Sequence, residues 1–295
     1  MAVIWGVNYS VMKAGLQGMP SMAFSALRIV LAVVTLYLIA FMLRGVPWPS
    51  VRDRWRLLAL GALGNGAYQL FFVFGLSRTR AGVAALITAA GPAWIAIISR
   101  MLGRERISRR GWTGILLQLI GAAAVVGSTQ GFGGDGQVLL GALLITCGSI
   151  TWGLFSVLLQ PYTQRAHPLH LSAITMTSGT VILCAVALPE LVSLEWGALG
   201  APQWGAMVYS GIVSLVIAYL LFYRGVRVLG PTRTSMYGNL QPIIALSVAW
   251  ATLGEQPTLW QLIGTTCIMG GLLVSRTATS KPAASISTTA EHAAA

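Results

Sequence analysis

Apolar runs of about 20 residues, the length that crosses a hydrocarbon core as a helix, recur along the whole chain. Short polar, Gly- or Pro-containing segments separate them. The pattern predicts ten spans, at roughly 1–18, 22–43, 57–76, 80–101, 111–129, 138–160, 168–189, 203–223, 234–253 and 257–275. A β-barrel would need apolar and polar residues to alternate instead. The expected fold class is therefore all-α, a polytopic membrane protein with ten transmembrane helices.

Polar positions inside these runs carry more information than the runs themselves. The stretch Arg233–Glu255 is apolar enough to cross a membrane, yet Tyr237, Asn239 and Gln241 sit beside Pro242 within it. Pro242 offers no N–H to the carbonyl of Gly238, and a freed carbonyl in hydrocarbon is costly unless protein or trapped water satisfies it. This segment is expected to face the bundle interior. Thr88–Glu105 echoes it, with Pro92 in mid-segment and a Leu-Gly-(Arg)-Glu ending beside the later Leu-Gly-Glu.

Composition agrees with the pattern: 56% of the 295 residues are hydrophobic and 9% charged, against about 25% charged in soluble domains. The net charge of +12 does not mark a nucleic-acid binder, because the basic residues fall in short loops between apolar runs. With the amino terminus placed in the cytoplasm, the inward side holds 15 Lys and Arg and the outward side 3. That bias places both termini in the cytoplasm of a bacterial inner-membrane protein. Met1 stands against an apolar run with no basic flank, so no cleavable signal peptide is expected and the first helix is expected to be short. Cys147, Cys184 and Cys267 lack metal-site spacing. The Ala-, Ser- and Thr-rich tail, 277–295, is expected to be disordered.

The chain repeats. FSALRI at 24–29 matches LSAITM at 171–176, and Trp5-Gly6 matches Trp152-Gly153, both at an offset of 147. Ala67-Tyr68 matches Ala218-Tyr219 at 151, Pro92 matches Pro242 at 150, and LQLIG at 117–121 matches WQLIG at 260–264 at 143. Five matches in one order, at nearly one offset, argue for two related halves. Five spans per half is an odd number, so the halves enter the membrane from opposite sides as an inverted repeat.

These features resemble the EamA branch of the drug/metabolite transporter superfamily: two five-helix repeats, WGVNYSVMK in the first helix, a proline in the fourth and ninth, and a Leu-Gly-Glu-like ending after each. The likeness covers 1–276, with 1–129 as one repeat and 138–276 as the other. It implies an exporter of small metabolites, and the aromatic amino acid exporters are the most similar members. The short first helix and the extra Arg104 depart from the family pattern.

Candidate cavity residues fall on helical stripes. Trp5, Asn8 and Tyr9 share one face of the first helix, and Asn65, Tyr68 and Gln69 repeat that spacing in the third. Thr88 stands one turn before Pro92. In the second half the candidates are Trp152 and Ser156, with Ser149 on the same stripe, then Tyr219 and Tyr223, then Tyr237, Asn239 and Gln241. Pro92 and Pro242 are the expected hinges. Each aromatic has a plainer alternative in core packing or the interfacial belt. Two readings of Arg28, six residues into the second span, stay open: its stem snorkels to the interface, or its guanidinium meets a substrate carboxylate or a nearby carbonyl. Lys13, nearer a helix end, is expected to snorkel.

The seven acids, Asp53, Glu105, Asp135, Glu190, Glu195, Glu255 and Glu291, fall in loops, at helix ends or in the tail, and His167 and His170 lie at the end of the seventh span. Coupling through a mid-membrane carboxylate is thus disfavoured, and facilitated diffusion fits better. No nucleophile, acid–base or metal constellation occupies the spans, which disfavours an enzyme. Many rings and few charges suit a neutral or zwitterionic molecule with an apolar body. The expected partners are that small molecule and the lipid bilayer, with no nucleic acid and no cofactor, in a monomer that exports by alternating access. The alternative is a proton-coupled exporter of drugs or quaternary amines.

Overall fold

The structure is a computed structural model that describes residues 1–43, 47–104, 107–128 and 136–276. Among the described residues it is helical throughout, with no strand. In chain order the helices are α1 (Ala2–Gly15), α2 (Ser21–Met42), α3 (Val51–Arg78), α4 (Ala81–Met101) and α5 (Arg109–Ser128). They continue as α6 (Gly136–Thr163), α7 (Pro168–Val192), α8 (Ala201–Leu229), α9 (Pro231–Tyr237, Gly238–Leu240 and Gln241–Leu253) and α10 (Leu259–Arg276). Six of them, α2, α3, α4, α6, α7 and α8, are long and apolar enough to cross a membrane. The protein is a multi-pass membrane protein. The tail from 277 and Glu105 lie outside the described residues.

Four helices are interrupted, and the interruptions come in matched pairs. α3 carries a π-helical segment at Ala62–Ala67 and α8 another at Tyr209–Ile217. Such segments shift the hydrogen-bond register and turn side chains that an unbroken helix would direct elsewhere. α4 and α9 break just before their prolines. In α9 the amide of Gln241 reaches back to the carbonyl of Gly238 through a 3-10 turn. That is the carbonyl Pro242 leaves without a donor, so the shorter bond repairs the loss. In α4 the cap amides return to the carbonyls of Ile87 and Thr88, which relieves the deficit at Pro92 in the same way.

Close packing follows the small residues. α2 packs on the π segment of α8, and α7 on the π segment of α3. At the first crossing a Cβ on Gly211 would lie 2.8 Å from the carbonyl oxygen of Arg28; at the second, one on Gly61 would overlap the carbonyl oxygen of Thr175. α5 and α10 pair along their length, where Gly271 lies against the backbone of Gly114 and Gly121 against Gly264. Without a hydrophobic force between helices in lipid, such approaches supply the van der Waals contact that holds the bundle.

At one end of the bundle α1, α3, α7 and α9 finish and α2 and α4 begin. Glu190 of α7 accepts from the amides of Met22 and Ala23, both at 2.8 Å. Glu255, just past α9, accepts from Ala81 and Gly82 at 3.3 and 3.4 Å. Each carboxylate satisfies the free amides of a helix start and lies at the positive end of its dipole. Both links join the second half of the chain to the first. Lys13, expected to snorkel, instead donates to the carbonyls of Leu76 and Thr79, at 3.0 and 2.8 Å.

Candidate functional site

The four breaks surround a cavity. It lies between α1, α2, α3 and α4 of the first half and α6, α8 and α9 of the second. Its volume is about 90 Å³. It extends toward the end where α1 and α9 begin, reaching Met1, Ile95 and Ser235. The end bearing Glu190 and Glu255 is the one it does not reach.

Aromatic rings build much of its wall. Trp152 of α6 is the centre, with Tyr68 at 5.0 Å between centroids, Phe222 at 5.1 Å, Tyr219 at 5.6 Å and Trp5 at 6.1 Å. Trp5 and Trp152, the two tryptophans matched by the repeat, meet nearly perpendicular at 88°. This is an edge-to-face arrangement that suits the ring quadrupoles. The indole N–H of Trp5 donates to the carbonyl of Ser214 at 3.2 Å, in the π segment of α8. Tyr9 and Tyr68 both pack on Phe72, at 5.6 and 5.7 Å.

The polar groups are fewer and mostly neutral. Asn8 is buried, and its Oδ1 has no hydrogen-bond partner among the described residues. Thr88 turns its hydroxyl back to Ala84, at 2.7 Å. Arg28 is 1% exposed, donating from Nη2 to Gln69 Oε1 at 2.8 Å and from Nη1 to Ser210 Oγ at 3.1 Å. Snorkelling is therefore overturned for Arg28. The interface it would have reached is exchanged for two neutral acceptors on α3 and α8.

Of the residues singled out by sequence, Trp5, Asn8, Tyr9, Tyr68, Gln69, Thr88, Trp152, Tyr219, Gln241 and Pro92 line the cavity. Asn65, Ser156 and Tyr223 are buried in the packing behind it. Ser156 bonds to the carbonyl of Trp152 at 2.7 Å, and Tyr223 shares a hydrogen bond with Thr175 at 3.1 Å. Pro242 is buried beside Gln241. Tyr237 is 61% exposed and turns away, because the 3-10 turn that follows changes the register between it and Gln241. The side chain of Asn239 lies outside the described residues.

Sequence reasoning missed Ser214, Leu215, Phe222 and Phe72. Ser214 had a signal: it follows Asn65 by 149 residues, close to the repeat offset, and both lie in π segments. The apolar members had none, since Leu and Phe in a membrane helix are equally at home against lipid.

The EamA-like transporter family matches residues 1–127 and 139–277 of the chain. Similar proteins include the uncharacterized transporter YyaM of Bacillus subtilis, 26% identical over 278 residues, covering 93% of this chain and 90% of that one. A probable terminal-alkyne amino-acid exporter of Streptantibioticus cattleyicolor is 27% identical over 277 residues, covering 93% and 90%. A protein of known crystal structure superposes with a TM-score of 0.71 at 19% identity, covering 94% of each chain. That last likeness concerns the fold alone.

Proposed function

The chain belongs to the EamA-like transporter family, and from that premise we propose that it exports amino acids with an aromatic or otherwise apolar body, and similar small metabolites, across a bacterial inner membrane. Ten helices in two inverted five-helix repeats alternate access to the cavity, and transport is facilitated diffusion. One observation carries this reading: matched tryptophans from the two halves meet in the wall of a cavity whose lining side chains are largely aromatic and, apart from one guanidinium, neutral. The paired breaks in α3 and α8, and in α4 and α9, support the repeat. The relative in Streptantibioticus cattleyicolor supports the amino-acid class.

Orientation comes from the positive-inside count, which puts both termini in the cytoplasm. The end with the starts of α1 and α9 then faces the cytoplasm, so the cavity extends toward the side from which an exporter loads. The two glutamate links close the outer side. Pro92 and Pro242 act as hinges about which the halves move.

Counterflow of amino acids in proteoliposomes, with and without a pH gradient, tests this. Flux of phenylalanine-like substrates indifferent to the gradient is the expected result. Accumulation driven by the gradient would replace facilitated diffusion with proton coupling, and flux of quaternary amines alone would remove the amino-acid assignment. Trp152→Ala and Tyr68→Ala are expected to lower flux at least tenfold while the protein still elutes as a single species.

A further inference from the structure

We propose that Arg28 is the cavity's receptor for a carboxylate, so that the transported class is amino acids and apolar-bodied carboxylic acids, and amines without a carboxylate are refused. The proposal deepens the transporter reading and rests on it.

A guanidinium 1% exposed inside a membrane-spanning helix is an expensive group to keep. Among the described residues no carboxylate pairs with it; the ion pair the structure holds is Arg56 with Asp53, at 3.9 Å on the surface. The protein meets Arg28 with neutral oxygens, Gln69 Oε1 and Ser210 Oγ, and its Nε has no partner. Lys13 shows how the same fold treats a cation whose role is structural. It sits at a helix end, part-buried, with two carbonyls on its ammonium. Arg28 has no such carbonyl cap and lines the cavity.

Gln69 and Ser210 come from opposite halves and hold the plane of the guanidinium between them. An Arg fork held in a fixed plane suits two-point recognition of a carboxylate, and the low-dielectric surroundings strengthen the pairing. The charge that the protein does not neutralise would be neutralised by the substrate. Trp5, Trp152 and Phe222 then receive the apolar body, and Asn8 Oδ1, buried without a partner, is a neutral acceptor for an ammonium group. A cation without a carboxylate would enter beside an unpaired guanidinium, a repulsion little screened away from water.

The test uses the full chain and four molecules that share one phenylethyl body: phenylalanine, 3-phenylpropionate, phenylalaninamide and phenethylamine. Thermal unfolding of the detergent-purified protein reads binding, and counterflow in proteoliposomes reads transport. Wild type is expected to bind phenylalanine and 3-phenylpropionate at least tenfold more tightly than the amide or the amine. Arg28→Gln is expected to erase that preference, and Arg28→Lys, which keeps the charge but loses the fork, to retain part of it. If Arg28→Gln does not fold, the wild-type panel and Arg28→Lys decide.

Binding of 3-phenylpropionate without binding or transport of phenylalanine would end the amino-acid reading and leave Arg28 as a carboxylate receptor. Equal binding of amine and acid, no binding of either carboxylate, or a carboxylate preference unchanged in Arg28→Gln would overturn the proposal, whatever the chain transports.

Discussion

Arg28 and Thr175 stand at the same place in the two matched segments, 147 residues apart, and the molecule treats them differently. The backbone around them is alike. Each lies on a helix that crosses a π segment of the other half, with a glycine in or next to that segment against its carbonyl: Gly211, inside the π segment of α8, beside Arg28, and Gly61, just before that of α3, beside Thr175. The side chains diverge. Thr175 spends its hydroxyl on the carbonyl of Leu171, at 2.7 Å, and on Tyr223, at 3.1 Å, in packing that the cavity does not reach. Arg28 reaches across to Gln69 and Ser210 and lines the cavity. A shared frame thus supports one closed crossing and one polar, cavity-facing crossing. Symmetry of backbone places the cavity between the halves, and asymmetry of side chains gives it a chemical direction.

The most severe way to break the comparison is to make the closed crossing resemble the open one. Thr175→Arg would bury a charge where Tyr223 and the backbone of Gly61 leave no room, at a cost of several kcal/mol. Loss of monodisperse protein on size exclusion is expected. A stable variant would show that the second crossing is not closed.

Filling the two glycines comes next. Gly61→Ala drives a methyl into the carbonyl of Thr175, whereas Gly211→Ala brings one to 2.8 Å from that of Arg28. Overpacking of this kind costs about 1–3 kcal/mol, and the larger loss of thermal stability is expected at Gly61. Equal losses would mean that the two crossings yield alike. Tyr223→Phe is the mildest change: it removes the hydrogen bond to Thr175, costs about 1 kcal/mol, and is expected to leave flux unaltered. Impaired flux at normal stability would give Tyr223 a part in transport that its position behind the cavity does not.

Much of this arrangement could be read from the chain. Trp5, Asn8 and Tyr9 declared a face by their spacing alone, since polar groups in an apolar helix must point at protein. Trp5 and Trp152 declared a pairing through the repeat. Other residues were illegible for physical reasons. The fate of Arg28 depended on which neighbours offered oxygens, and a long stem lets the same residue reach water or protein. Tyr237 carried the same polar mark as Gln241, but the 3-10 turn between them alters the register, which linear spacing does not record. Tyr223 shares a helix face with Tyr219 at four residues' distance. Only the depth of packing separates the cavity wall from the layer behind it.

The repaired carbonyl at Gly238 bears on how such a bundle bends in oil. A helix that flexes at an intact turn must pull a donor from its acceptor with no water to compensate. α9 has already exchanged its long-register bond for a shorter one, and α4 closes its break with cap amides. Motion at these joints begins from a backbone with little left to lose, so the resistance to opening would come from the glutamate links and the ring contacts between the halves.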